Sequence, residues 1–217
     1  MTTHAASSPS TVGLREAKKQ ESRQLISDHA TRLFLAQGFE QTTIAEIAAA
    51  ARVAKKTVTN YFARKEDLAL DHQDAFVASM AQTVTGRRAG ESALAALHRA
   101  FLEAAAAAEP VAGFSGSEFA RMIAESPTLS TRLRDLHDLR EATLADTLAE
   151  ATGVSRDDIT PRAAAALLGA VHRVLFQRIQ ELTIAGQDNA QISATVTAEA
   201  ERAFALLQPS LADYATA

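Results

Sequence analysis

The sequence lacks several residue types and patterns, and each absence excludes a class of protein. It contains no cysteine, which excludes a disulfide framework, a cysteine nucleophile and thiolate metal sites, and which fits a reducing cytoplasm. It contains no run of about 18 apolar residues. The opening residues MTTHAASSPS lack the basic-then-apolar pattern of a signal peptide. We therefore expect a soluble cytoplasmic protein with no membrane partner.

The sequence also lacks the motifs of common enzyme classes. Neither GxGxxG, a Walker loop, HExxH nor GxSxG occurs. The string Asp71-His72-Gln73-Asp74 contains potential metal ligands, but adjacent positions on a helix do not converge on one ion, and only Asp71 and Asp74 share a face. We therefore predict no enzyme activity, no metal site and no cofactor.

Alanine, the best helix former, is the commonest residue and occurs in runs at 48–51, 104–108 and 163–166. Apolar residues recur at helical spacing, and glycine and proline separate the helical stretches. The predicted fold is all-α, with an N-terminal helix-turn-helix domain of three helices, a C-terminal helical bundle and about nine helices in total. The predicted helices cover about 14–37, 43–51, 54–62, 66–84, 91–108, 117–125, 128–151, 162–184 and 190–207.

Lysine is absent after residue 65, and this divides the chain electrostatically. Residues 1–67 carry ten Lys and Arg against seven Asp and Glu, whereas the remaining residues carry 12 against 19. The net charge of −4 is therefore the sum of a basic head and an acidic body. A basic end on an acidic protein points to a polyanionic partner, although a solvated lysine face has a similar composition.

The basic head contains a candidate helix-turn-helix. Thr43 and Glu46 match a capping box at the start of a short helix, and Arg52-Val53 is predicted to turn into the next helix. Small residues such as Ala48 allow the two helices to approach closely. The second helix then presents side chains suited to base edges and phosphates: Lys55, Lys56, Thr57, Thr59 and Asn60.

At these residues the chain resembles the TetR family of bacterial transcriptional regulators. The matching positions extend without a gap over about 55 residues and include Leu25-Ile26, Ala30, Leu33-Phe34, Gly38-Phe39, Thr42-Thr43, Ile47-Ala48, Ala51, Val53, Thr57, Tyr61-Phe62, Lys65-Glu66 and Leu68. The resemblance implies a homodimeric repressor that binds double-stranded DNA and is released by a small-molecule effector. It also implies that Thr43, Tyr61 and Lys65 contact phosphates, while the residues from Lys55 to Asn60 face the major groove.

The chain departs from the family pattern at the turn. Arg52 occupies a position where glycine is frequent, and Ala54 replaces the usual Ser or Thr N-cap, a loss that typically costs about 0.5–2 kcal/mol. Lys56 and Thr59 replace a frequent glycine and a common aromatic residue. The fold implied by the resemblance is unaffected, but the base-contact roles transfer less directly.

The predicted domains are a flexible tail at 1–13, a DNA-binding domain at 14–65 and a bundle at 66–217 that binds ligand and dimerises. The resemblance assigns the dimer interface to apolar stripes on the last two long helices: Leu168, Val171, Leu175 and Ile179, with Ile192, Val196, Ala203 and Leu207. The ligand-pocket candidates are bulky and mostly aromatic: Phe76, Met80, Phe101, Phe119, Met122 and Phe176. Ordinary core packing explains such residues equally well.

Two other functions remain open from the sequence. The protein can be a regulator of the same fold that works without an effector, in which case the bundle has no cavity. It can also be a helical enzyme or interaction bundle with a chance helix-turn-helix, in which case it shows no salt-sensitive binding to duplex DNA.

Overall fold

The computed structural model describes the backbone of residues 11–217 and the side chains from residue 17 onward. This part of the chain forms eleven α-helices and one short 3-10 turn, with no strand among the described residues, so the all-α prediction is confirmed. Nine of the helices have seven residues or more, matching the predicted number. The helices are α1 (Thr11–Gln37), α2 (Ile44–Ala50), α3 (Lys55–Tyr61), α4 (Glu66–Ala69), α5 (Gln73–Thr85), α6 (Ala93–Ala106), α7 (Ser117–Glu125), α8 (Pro127–Thr152), α9 (Ile159–Ile184), α10 (Asn189–Ala205) and α11 (Gln208–Leu211).

Two of the differences between the predicted and the observed helix boundaries bear on the predicted domains. Residues 1–10 of the predicted tail lie outside the described residues, but Thr11 to Gly13 already belong to α1. The single helix predicted over 66–84 is two helices, because the backbone leaves the helical conformation between Leu70 and His72. No glycine or proline marks this break in the sequence.

The chain forms two compact units, of which the first ends at Asp71 and the second begins at His72. In the first unit, α1 packs against α2 and α4, and α2 packs against α3. The buried residues of this unit form a small core beneath the short helices: Ile26, Ala30, Phe34, Phe39, Ile47, Ala48, Ala51, Val58, Phe62 and Leu68. The small side chains of Ala48 and Ala51 are buried in this core, whereas Ala49, which the sequence also suggests for the close approach of the two helices, is exposed.

Local signals explain where the short helices of the first unit begin and end. Gly38 ends α1 at a φ of 90°, a conformation that glycine adopts without steric cost. Thr43 caps α2, where its hydroxyl accepts a hydrogen bond from the Glu46 amide (3.2 Å) and the Glu46 carboxylate accepts one from the Thr43 amide (2.8 Å). The capping box predicted from the sequence is therefore present.

The second unit is a helical bundle around one apolar core. In this bundle α5 packs on α8, α8 packs on α9, and α10 packs on both α9 and α6. Side-chain caps fix the starts of four of these helices: Ser92 caps α6, Ser126 caps α8, Asp158 caps α9 and Asp188 caps α10. Because each cap satisfies an amide that the helix itself leaves unpaired, the helix starts coincide with signals that are visible in the sequence.

Candidate functional site

The outward face of α3 is an exposed polar surface of the first unit. Val58 is completely buried and fixes the orientation of the helix, and the Thr57 amide bonds to the Ala54 carbonyl at 2.8 Å. This orientation leaves Lys55, Lys56, Thr59 and Asn60 exposed, with Thr57 and Tyr61 half-buried at the edges. A seven-residue helix with this face suits the major groove of DNA, which admits one helix.

The turn before α3 has an unusual backbone. Arg52 adopts a φ of 55°, the left-handed conformation that glycine favours. The Val53 amide bonds back to the Ala48 carbonyl (2.9 Å), which closes the end of α2. Ala54 has the extended backbone of an N-cap residue but offers no side-chain cap. The exposed Arg52 side chain adds a positive charge beside the two lysines of α3.

Thr43 is exposed at the start of α2, but its hydroxyl is already engaged. It donates to the Glu46 carboxylate at 2.8 Å, and together with the Thr43 amide it lowers the pKa of that carboxyl group. A phosphate at this position would compete with a carboxylate for the same donor. The predicted phosphate contact therefore requires the threonine hydroxyl to change partners.

Lys65, the third predicted phosphate contact, holds the first unit together. Its ammonium donates to the carbonyl oxygens of Phe39 (2.8 Å), Glu40 (3.3 Å) and Thr42 (3.1 Å). It also lies 4.2 Å from the centre of the Phe39 ring. Since an ammonium has three N–H donors, these three bonds use all of them.

The second unit contains a cavity of about 50 Å³ bounded by α5, α6, α8, α9 and the turn at 110–112. Of the residues predicted to form a ligand pocket, the structure places Met80 and Phe101 in its wall. Phe76 and Phe176 instead form an aromatic cluster with His137, with ring centres 5.1–5.8 Å apart. Neither these two nor Phe119 and Met122 line the cavity.

Sequence reasoning suggested His172 as a polar group of the pocket but missed the charged residue of the cavity wall, Arg140. It is only 5% exposed, and its guanidinium lies 4.6 Å from the centre of the Phe76 ring. His172 also lines the cavity and is 7% exposed. One signal was available in the sequence: Arg140 continues a row at four-residue spacing that contains Leu136, Leu144 and Leu148.

Most residues predicted for the dimer interface belong to the core of a single chain. Six of them are buried by their own chain: Leu168, Leu175, Ile179, Ile192, Val196 and Leu207. Val171 and Ala203 are half-buried. The apolar surface of α9 that faces solvent is a stripe of five residues at helical spacing: Ile159, Ala163, Leu167, Ala170 and Val174.

Both a family model and an individual protein are similar to this chain. The family model of bacterial regulatory proteins, tetR family, matches residues 26–71, which contain the whole helix-turn-helix. The HTH-type transcriptional regulator TcmR of Streptomyces glaucescens is 33% identical over 175 residues, covering 78% of this chain and 77% of that protein.

Solved structures with little sequence identity show the same fold. NalD of Pseudomonas aeruginosa, the secondary repressor of the MexAB-OprM multidrug efflux pump, is 20% identical with a TM-score of 0.54, covering 85% of this chain and 97% of its own. A TetR-family regulator from Syntrophomonas wolfei is 19% identical, also with a TM-score of 0.54, covering 86% and 96%.

These relatives are regulators and not enzymes, in agreement with the absence of catalytic motifs. No helix among the described residues is both long enough and apolar enough to cross a membrane. The chain belongs to the TetR family of bacterial transcriptional regulators, and its first unit contains that family's DNA-binding domain.

Proposed function

We propose that the protein is a homodimeric repressor that binds a palindromic operator through α3 and leaves it when a small molecule binds the second unit. The observation that carries this proposal is the face of α3, where two exposed lysines stand beside Thr59 and Asn60 on a helix fixed by the buried Val58. Asn side chains suit adenine, and lysines suit guanine or phosphate. The repressor role has a precedent in NalD, which is described as a repressor.

The test measures binding of the purified protein to the duplex upstream of its own gene by fluorescence anisotropy, over a series of salt concentrations. Each phosphate contact contributes about 0.9 to the slope of log K against log salt. The double variant Lys55→Ala/Lys56→Ala removes two exposed charges, so we expect weaker binding and a slope smaller by up to about 2. The matched control, Arg134→Ala/Arg156→Ala, removes the same charge from the second unit and should leave the slope unchanged.

Two results would contradict the DNA-binding assignment. One is an unchanged slope and affinity in the lysine double variant. The other is an equal loss of slope in the arginine control, which would show that net charge and not the α3 face determines binding. Binding of the wild-type protein to no duplex at all would instead favour an interaction bundle.

Dimerisation is proposed to use the exposed stripe of α9. Leu167 is 45% exposed and Val174 is 61% exposed, and exposed apolar side chains at helical spacing favour a helix-to-helix contact. A two-fold dimer also doubles the contact with a palindrome, because one short helix reads few base pairs.

The dimer is tested by sedimentation of Leu167→Glu/Val174→Glu, which should sediment as a monomer. Leu139→Glu is the matched control, because Leu139 is 49% exposed on α8 and should leave the dimer intact. A charged α9 variant that stays dimeric would place the interface elsewhere.

The proposed effector site is the cavity of the second unit. Its apolar walls include Met80, Leu97 and Phe101, and its volume is about 50 Å³. A ligand that binds better to one conformation of the protein than to another changes DNA affinity by that difference in binding free energy. Release is tested by adding candidate ligands to the preformed protein–DNA complex, and the assignment fails if a ligand that binds the cavity leaves DNA affinity unchanged.

A further inference from the structure

Arg140 is a buried cation without an acidic partner among the described residues. Its Nε has no hydrogen-bond acceptor within the described chain. The nearby acids of α8 are engaged elsewhere: Asp138 and Glu141 pair with Arg173 at 3.3 and 3.4 Å. Burial lowers the pKa of Arg140 to about 10, and no carboxylate offsets this effect. A guanidinium of this kind keeps its charge at neutral pH, so an unneutralised positive charge lies inside the second unit.

The pKa values of the neighbouring histidines reflect both burial and this positive charge. Burial first, and then the charges of Arg140 and Arg173, lower the pKa of His137 to about 4. The pKa of His172 is lowered by burial first, and then by Arg140, His137 and His98. Both rings are therefore neutral at pH 7, and the buried Nε2 of His172 has no partner among the described residues. In the tautomer protonated at Nε2, His172 can donate a hydrogen bond.

The cavity brings these groups to one surface. Arg140 and His172 both line it, together with Ser79 and Thr83. The two hydroxyls donate to carbonyls of their own helix, to Phe76 at 2.7 Å and to Ser79 at 3.0 Å. The donors left for a ligand are therefore the guanidinium and the imidazole. A volume of about 50 Å³ accommodates a carboxylate group, since one water needs roughly 10–15 Å³ by the same measure.

We propose that this cavity binds the carboxylate of an amphipathic organic acid, an inference that rests on the effector role proposed above. Arg140 pairs with the carboxylate, because the planar guanidinium matches its two oxygens. His172 donates a further hydrogen bond. The apolar body of the acid packs against Met80, Leu97 and Phe101, whose side chains move apart to admit a group larger than the present cavity.

The experiment compares two probes of the same shape, 1-naphthoate and 1-naphthamide, by calorimetry and thermal unfolding of the full chain. We expect naphthoate to raise the melting temperature and to bind at least tenfold more tightly than the neutral amide. Arg140→Met should remove this preference, whereas Arg134→Met, which changes an exposed arginine of the same helix, should keep it. Equal binding of the two probes, absence of naphthoate binding, or a preference that survives in Arg140→Met would overturn the proposal.

A second measurement separates a ligand-binding arginine from a structural one. Without ligand, Arg140→Met should unfold at a higher temperature than the wild type, because methionine fills similar space without an unpaired buried charge. A variant that unfolds at a lower temperature or fails to fold would show that the chain itself needs the cation, and would overturn the proposal.

The carboxylate site and the release of DNA by an effector can be contradicted separately. Naphthoate that binds through Arg140 but leaves the protein on its upstream duplex supports the carboxylate site and contradicts only the release of DNA by an effector. Release of DNA by a neutral ligand, with no naphthoate binding, supports release by an effector and contradicts the carboxylate site.

Discussion

Lys65 has two possible roles, a phosphate contact or a structural contact within the first unit, and a substitution can distinguish them. The resemblance makes it a phosphate contact, whereas the structure uses its three donors to join the start of α4 to the turn between α1 and α2. We therefore predict that Lys65→Met destabilises the first unit and leaves the salt dependence of DNA binding unchanged. Binding itself weakens, because the helix-turn-helix is folded for a smaller fraction of the time.

The expected magnitude follows from the contacts. Each hydrogen bond contributes roughly 1 kcal/mol in net terms, and the contact with the Phe39 ring adds about 0.5–1 kcal/mol at a partly exposed site. Because the three bonds come from one ammonium, their contributions do not add fully, so the loss is about 2–3 kcal/mol. At about 1.4 kcal/mol per factor of ten, amide hydrogen exchange in the first unit should become roughly 100-fold faster.

Hydrogen exchange measured by mass spectrometry distinguishes the two units in one experiment. Peptides from residues 39–62 should exchange faster in Lys65→Met, while peptides from the second unit should not change. Lys55→Met is the matched control: Lys55 is exposed on α3, so its loss should leave exchange unchanged and reduce the salt slope by about 0.9. If Lys65→Met instead reduces the slope by the same amount without faster exchange, Lys65 contacts phosphate and the reasoning is wrong.

Two further predictions concern stability. The buried His137 has a pKa of about 4 in the folded protein and an ordinary value of 6.5, so between these pH values the unfolded chain binds the extra proton and the free energy of unfolding falls as the pH is lowered. Between about pH 7 and about pH 5, the free energy of unfolding measured in urea should therefore fall by about 2 kcal/mol less in His137→Phe than in the wild type. An identical pH dependence in the two proteins would refute the depressed pKa. Ala54→Ser supplies the missing N-cap of α3 and should stabilise the first unit by about 1 kcal/mol. Ala49→Ser, at an exposed position in the last turn of α2, should not, and equal effects of the two serines would contradict a capping role.

The helix-turn-helix could be predicted because its signals are local. The Thr43–Glu46 box and Gly38 each act within a few residues of the chain, so their patterns determine the helix ends directly. The break at 70–72 has no such signal. There the Asp71 carboxylate accepts a bond from the Ser27 hydroxyl (2.5 Å), and the Asp71 carbonyl accepts one from Arg23 (3.3 Å). Contacts between residues more than forty positions apart override the local helical pattern, and a sequence does not display them.

In the second unit, the sequence does not distinguish core residues from interface residues. Helical spacing identifies which residues share a face, but it does not say whether that face packs inside its own chain or against a partner. Leu168 and Leu175 are core residues, and the solvent-facing stripe with Leu167 and Val174 lies beside them on the same helix. Arg140 was overlooked for a related reason. Charged residues surround it in the sequence, and only its position in a leucine row indicates that it is buried.

The turn between α2 and α3 has a consequence for protein engineering. Arg52 stands in a left-handed conformation and Ala54 leaves a helix start uncapped, so the turn is less stable than this fold allows. Glycine at 52 would relieve strain of about 1 kcal/mol at the expense of one positive charge, while serine at 54 alters no charge. Redesign of operator specificity destabilises many variants of a recognition helix. The stability added by the serine substitution would offset part of this destabilisation, without altering any side chain on the exposed face of α3.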